Sequence, residues 1–136
     1  MKVQVIVIDD HEVVLAGLEY TLGGSDRCVL AGTYLTMQEA LARIADPDAP
    51  PVSVALLDLR LADGSDPYLN ALDLQSAGVH VLVYSSMESP YLVRRALQAG
   101  VAGVVDKSAS VADLEEAVCL AAAGGTYATT DWAVLI

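Results

Sequence analysis

"VQVIVIDDHEVVLAGLEYTL", Val3 to Leu22, holds two structural elements and the chemistry at their junction. Val3–Ile8 is a short, largely β-branched run of the kind found in strands buried on both faces. From Glu12 the period changes: Val14, Leu18 and Leu22 recur at four-residue spacing, which predicts a helix. Between the two stand the adjacent carboxylates Asp9 and Asp10. Their mutual repulsion is costly unless water, a proton or a metal ion offsets it.

The same alternation continues along the chain. Short apolar runs at Cys28–Tyr34, Val52–Leu57, Val79–Tyr84 and Val101–Val105 bring the predicted strands to five. Helical patterns lie between them at Glu12–Leu22, Met37–Ala45, about Tyr68–Ser76, Pro90–Ala99 and Val111–Ala123. Thr36 with Glu39 fits a capping box, Ser110 with Asp113 a weaker one, and Ser89–Pro90 sets a cap before a first-turn proline. Glycines at Gly23–Gly24, Gly78, Gly100 and Gly124–Gly125 mark the stops. The stretch "DPDAPP", Asp46–Pro51, reads as a stiff acidic loop. Strictly alternating elements imply an α/β fold: a doubly wound, five-stranded parallel sheet with five helices, in the flavodoxin-like order 2-1-3-4-5.

Composition bounds the function. A chain of 136 residues is one domain's length, and it carries a formal charge of −11 with seven Lys and Arg. It has no basic face for a nucleic-acid backbone, so the chain is not expected to bind DNA by itself. No apolar stretch approaches the roughly 20 residues of a membrane helix, and the N-terminus lacks a signal-peptide pattern, so a cytoplasmic location is expected. Cys28 and Cys119 are isolated among apolar neighbours and read as buried free thiols.

In the expected strand order, strands 1 and 3 lie side by side where the winding reverses, and ligands bind beyond the carboxyl ends there. Strand 3 ends in Asp58, strand 4 in Ser85–Ser86 and strand 5 in Lys107. Asp9, Asp10 and Asp58 should therefore converge with a hydroxyl and an ammonium. Three carboxylates with one lysine suit a hard cation such as Mg²⁺. A metal, a lysine and a hydroxyl are also what a transferring phosphoryl group requires, one acid being the nucleophile.

Residue by residue, blander readings stand beside these. Asp9–Asp10 could cap the first helix, Asp58 and Lys107 could form an ordinary ion pair, and Ser85 could be a plain loop hydroxyl. His11 reads as a solvated first-turn residue, His80 as structural, and Arg94 and Arg95 as a solvated helix face. Trp132 reads as a packing or linker residue.

The motifs "DDHEVVLAGLEYTL", "LLDLRLADGS", "VLVYSS" and "RRALQAGVAGVVDKSASVADLEEAV" together resemble the receiver domain of two-component response regulators, in the subfamily joined to a LuxR-type helix-turn-helix. The resemblance runs from about Val3 to Tyr127. It implies a receiver domain over residues 1–127, with 128–136 starting a linker or tail. It further implies Asp58 as phosphoacceptor, Mg²⁺ bound by Asp10, by Asp9 through water, by Asp58 and by the Arg60 carbonyl, Ser85 as switch hydroxyl and Lys107 as phosphate-binding lysine. The implied partners are a sensor histidine kinase and a second copy in a homodimer, with DNA reached only through an output domain and no membrane contact. The implied role is control of transcription, with no turnover beyond the domain's own phosphotransfer and dephosphorylation.

Departures from the family pattern are Val104 in place of an aromatic switch residue, Ala62 in place of a proline, and Val101–Ala102 in place of Ala-Asp. They keep open a pseudo-receiver that acts as a phosphorylation-independent interaction or dimerisation module. A phosphohydrolase with an aspartate nucleophile would carry a second acid at position 60, where this chain has Arg60.

Overall fold

The computed structural model describes residues 2–86 and 89–128, so Trp132 lies outside the described residues. The elements run β1 (Val3–Ile8), α1 (Glu12–Gly23), β2 (Cys28–Tyr34), α2 (Met37–Ala45), β3 (Val54–Leu57), α3 (Pro67–Ser76), β4 (His80–Ser85), α4 (Pro90–Gln98), β5 (Gly103–Asp106), α5 (Val111–Ala122) and β6 (Tyr127–Ala128). The first five strands are parallel in the expected order β2-β1-β3-β4-β5. No described helix is long and apolar enough to cross a membrane.

Alternation along each strand divides the core in two. Val5 and Val7 join Leu56, Leu82 and Val105 on the face covered by α1 and α5, while Ile6 and Ile8 join Leu57, Val83 and Val104 on the face covered by α2, α3 and α4. Val5 to Ile8 are wholly buried. Each such side chain contributes about 1.5–3 kcal/mol relative to exposure, so the identity of the faces is strongly fixed. On α1, Leu15, Leu18 and Leu22 are the buried residues, with Val14 packed at the margin.

The local signals act as their chemistry demands. Thr36, Ser89 and Ser110 accept from the backbone N–H groups of Glu39, Leu92 and Asp113. Gly78 and Gly100, just past α3 and α4, take φ of 86° and 82°, where a side chain would be strained. β3 is Val54–Leu57 rather than the expected Val52–Leu57, although the Ser53 N–H already donates to the Gln4 carbonyl of β1 at 3.0 Å. β5 likewise begins at Gly103 and β4 extends through Ser85. In the β1–β2 ladder Val5 pairs with Leu30 but Ile6 with Gly32, so Ala31 bulges out of register.

The expected five strands are joined by a sixth. Tyr127–Ala128 pairs in parallel with Gly103–Val104, and the Tyr127 N–H donates to the Ala102 carbonyl at 2.7 Å. Only a glycine admits this approach, since a Cβ on residue 103 would lie 1.7 Å from the Tyr127 carbonyl oxygen.

Gly103→Val is therefore expected to detach β6 and to lower stability by about 1–3 kcal/mol, the usual cost of overpacking. Hydrogen-exchange mass spectrometry reads the result directly: the Tyr127 amide should lose protection, and unchanged protection would contradict the close approach.

Candidate functional site

β1 and β3 are neighbours with Ile8 level with Leu57, and the ladder continues one bond further, the Asp58 N–H donating to the Ile8 carbonyl at 3.0 Å. The Asp9 N–H meanwhile donates to Tyr34 at 3.0 Å. Both acids are thus fixed by backbone at the carboxyl edge of the sheet. Asp9 and Asp58 are buried, while Asp10 is half-buried.

Lys107 follows β5 and is set by its own N–H bond to the Ser85 carbonyl, 2.8 Å. Its Nζ lies 2.9 Å from Asp9 Oδ2 and 3.5 Å from Asp58 Oδ1, so it serves both acids and is closer to Asp9. The isolated Asp58–Lys107 ion pair is therefore not what forms. Ser85, the last residue of β4, is buried, and it lines a pocket of about 350 Å³ together with Asp58, Arg60, Lys107 and His11. The Arg60 N–H donates to Asp58 Oδ1 at 3.4 Å.

Capping does not explain the paired acids, because the N-cap of α1 is His11 and no side chain caps that helix. Asp9 Oδ1 instead accepts the His11 N–H at 2.9 Å, and Asp10 Oδ2 accepts the Ala62 N–H from the β3–α3 loop. That second bond depends on the departure at position 62, since a proline there would have no N–H to donate.

Two surface expectations change. His11 is half-exposed, but its ring turns onto the acids, with Nδ1 2.6 Å from Asp9 Oδ1 and 3.4 Å from both Asp10 Oδ1 and Asp58 Oδ2. Adjacency in sequence gave its position but not the ring's direction. Arg95 is no free solvated charge either: its guanidinium meets Asp66 Oδ2 at 2.6 Å and lies 4.9 Å from the Tyr68 ring centre, tying α4 to the start of α3. Cys28 is buried and Cys119 half-buried, and both thiols are free.

The electrostatics follow from this crowding. Burial, then the Asp9 charge, pushes the Asp58 carboxyl above the usual carboxylate range, against the opposing pull of Lys107. His11 is raised above its ordinary 6.5, first by its hydrogen bond to Asp9 and then by the Asp9 charge. Its stabilising contribution is complete below 6.5 and is lost as pH rises through the raised value. Asp58 works in the opposite direction to an ordinary paired carboxylate. The native state holds its proton more tightly than the unfolded chain, so ionisation costs stability as pH rises from the normal carboxylate value through the raised one.

Oxygen donors dominate the pocket, and the charge is unbalanced. Three carboxylates face one lysine, and ligand atoms from Asp9, Asp10, His11 and Asp58 all lie within 4.8 Å of one another. Asp9 Oδ2 and Asp58 Oδ2 are buried and accept no hydrogen bond among the described residues, although Lys107 and His11 stand at ion-pair distance. Such a set fits a hard divalent cation.

Comparison with known proteins agrees. The family model for the response regulator receiver domain matches residues 5–119. The transcriptional regulatory protein UhpA of Salmonella typhimurium is 34% identical over 132 residues, covering 97% of this chain and 65% of its own length. The DNA-binding transcriptional activator DevR/DosR of Mycobacterium tuberculosis is 37% identical over 118 residues, covering 85% of this chain and 52% of its own length. The chain thus spans between half and two thirds of these relatives. The signal receiver domain of the response regulator NarL from Mycobacterium tuberculosis superposes with a TM-score of 0.76 at 32% identity, over 90% of this chain and 98% of that one.

Asp58→Asn should relieve the buried charge. At pH 7 without divalent metal it is expected to be more stable than the parent by about 0.5–3 kcal/mol, the usual size of a single-substitution effect. The gap should close as pH falls and the parent's Asp58 takes up its proton. Paired thermal melts between pH 4 and 8 check this, and a gap that widens in acid would contradict it.

Proposed function

The chain belongs to the response regulator receiver domain family, and from that premise we propose that it accepts a phosphoryl group on Asp58 from a sensor histidine kinase in order to control transcription. The observation that carries the reading is the convergence of Asp9, Asp10, Asp58 and Lys107 at the carboxyl edge of the sheet.

In this reading an Asp58 oxygen attacks phosphorus, the bond from phosphorus to the kinase's histidine nitrogen breaks, and an acyl phosphate forms. Asp9, Asp10, Asp58 and the Arg60 carbonyl would hold Mg²⁺. When bound, that ion neutralises charge on the phosphoryl oxygens. Lys107 lies within reach of Asp58 and stabilises the added oxygens, with Ser85 donating from the end of β4. Arg60, where a hydrolase would carry an acid, argues against a turnover enzyme.

Transmission then differs from the family's usual route. Val104 is wholly buried on the α2–α4 face beside Val83, and a β-branched side chain has little χ1 freedom. No large ring is available there to turn inward. The output is read as a modest shift near Ser85, or altered homodimerisation, in a cytoplasmic regulator over residues 1–127 with a linker from 128. DNA is then contacted by an output segment outside this chain, as the names of UhpA and DevR/DosR suggest for those proteins. A phosphorylation-independent interaction module is the second reading. It is favoured by the Ala62 N–H, which already occupies one oxygen of Asp10.

Incubation with acetyl phosphate and Mg²⁺ should add one phosphoryl group by intact mass, labile to hydroxylamine, and Asp58→Asn should gain none. An unmodified parent protein would favour the interaction module, and label on the Asp58→Asn protein would move the acceptor elsewhere.

A further inference from the structure

The ring of His11 lines the pocket and is not used by phosphoryl transfer. We propose that His11 gives the pocket a second metal specificity: with Asp10 and Asp58 it forms a site for a borderline transition ion of the Zn²⁺ class. The inference shares its carboxylates with the Mg²⁺ assignment above and rests on that reading for their availability to metal.

Geometry separates the two ions. A tetrahedral ion with bonds of about 2.0–2.1 Å sets its ligand atoms about 3.3–3.4 Å apart, whereas an octahedral ion with similar bonds sets neighbouring ligands about 2.8–3.0 Å apart. His11 Nδ1 lies 3.4 Å from Asp10 Oδ1 and 3.4 Å from Asp58 Oδ2, the tetrahedral edge for the two ligand pairs that include the imidazole. Its 2.6 Å approach to Asp9 Oδ1 is too short for either edge and is a hydrogen bond. Binding through Nδ1 would exchange that bond for the metal, leaving Asp9 with the His11 N–H at 2.9 Å and Lys107 at 2.9 Å.

A second observation points the same way. Asp58 Oδ2 is buried and accepts no hydrogen bond among the described residues, yet it faces the imidazole. The His11 side chain is 56% exposed, so an ion can reach Nδ1 from solvent. Imidazole is a good ligand for Zn²⁺, Co²⁺ and Ni²⁺, whereas Mg²⁺ takes oxygen donors and retains waters. Removing the ring should therefore weaken one class of ion and spare the other. An ion held this way takes the same Asp10 and Asp58 carboxylates as Mg²⁺, so the two ions compete for the pocket.

The test is titration of the chelator-treated chain with Co²⁺ alone, followed by visible absorption. The expected result is the intense band of four-coordinate Co²⁺, displaced by Zn²⁺ but not by an equal concentration of Mg²⁺. His11→Ala should lose the band and bind Zn²⁺ at least about tenfold more weakly in competition with a chromophoric chelator, while its Mg²⁺-induced rise in melting temperature does not shrink. His11→Asn should behave alike, and His80→Ala, altered at the opposite end of β4, should keep the band. A band that survives His11→Ala, or only the weak six-coordinate spectrum in the parent, would overturn the proposal. Acetyl phosphate labelling of the same proteins with Mg²⁺ in place of Co²⁺ separates the two readings: labelling on Asp58 with a Co²⁺ spectrum indifferent to His11 sinks this inference alone, and a His11-dependent band without labelling in Mg²⁺ sinks phosphoryl acceptance alone.

Discussion

The register of β1 against β3 is the constraint on which the rest of the molecule depends. Ile8 stands level with Leu57, and the next ladder bond, Asp58 N–H to Ile8 carbonyl, places the two acids that follow at one edge. A slip of one residue would turn Ile6 and Ile8 to the α1–α5 face and Val5 and Val7 to the other. The site is therefore held by hydrophobic burial acting at a distance: the strand cannot move its acids apart without also misplacing four wholly buried side chains. Parallel pairing adds the remaining members, because β4 and β5 deliver Ser85 and Lys107 to the same edge.

What hydrophobic burial assembles, electrostatics opposes. Asp58 is held in a place that favours its proton, beside Asp9, with one shared lysine as the nearest permanent cation. Natural domains retain only about 5–15 kcal/mol of net stability, so a pocket that spends some of it on unmatched carboxylates is an arrangement suited to binding positive charge. Ala62 and His11 moderate the repulsion, one with a backbone N–H on Asp10 and the other with its ring at Asp9. Neither is a rigid neutraliser, since one is a neutral dipole and the other an imidazole with a half-exposed side chain.

Much of this was legible in the sequence because it is carried by period and by residue type at strand ends. Asp9, Asp10, Asp58 and Lys107 could be brought together from strand order alone, and Thr36, Ser89 and Ser110 announced their helices. What escaped depends on direction or close approach, which no period records. His11 reads as a solvated helix start until its χ angles turn it over the acids. Arg95 looks like a surface charge until α3 places Asp66 and Tyr68 beside it. β6 is two residues long, too short for any alternation to show, and its only trace is Gly103 inside an apolar run.

The bulge at Ala31 and the brevity of β6 together govern how the sheet meets other chains. An edge strand offers unpaired N–H and carbonyl groups as a template for edge-to-edge aggregation, and proteins blunt such edges by shortening or twisting them. Here β5 is covered along Gly103–Val104 by a strand of only two residues, and β2 at the other margin is broken from regular register by its extra residue. For a sheet whose interior strands are rich in Val, Ile and Leu, this matters more than usual: a flat, open margin would invite edge-to-edge pairing. The same glycine that lets the chain return beside β5 therefore also leaves less of β5 open as a template for edge pairing.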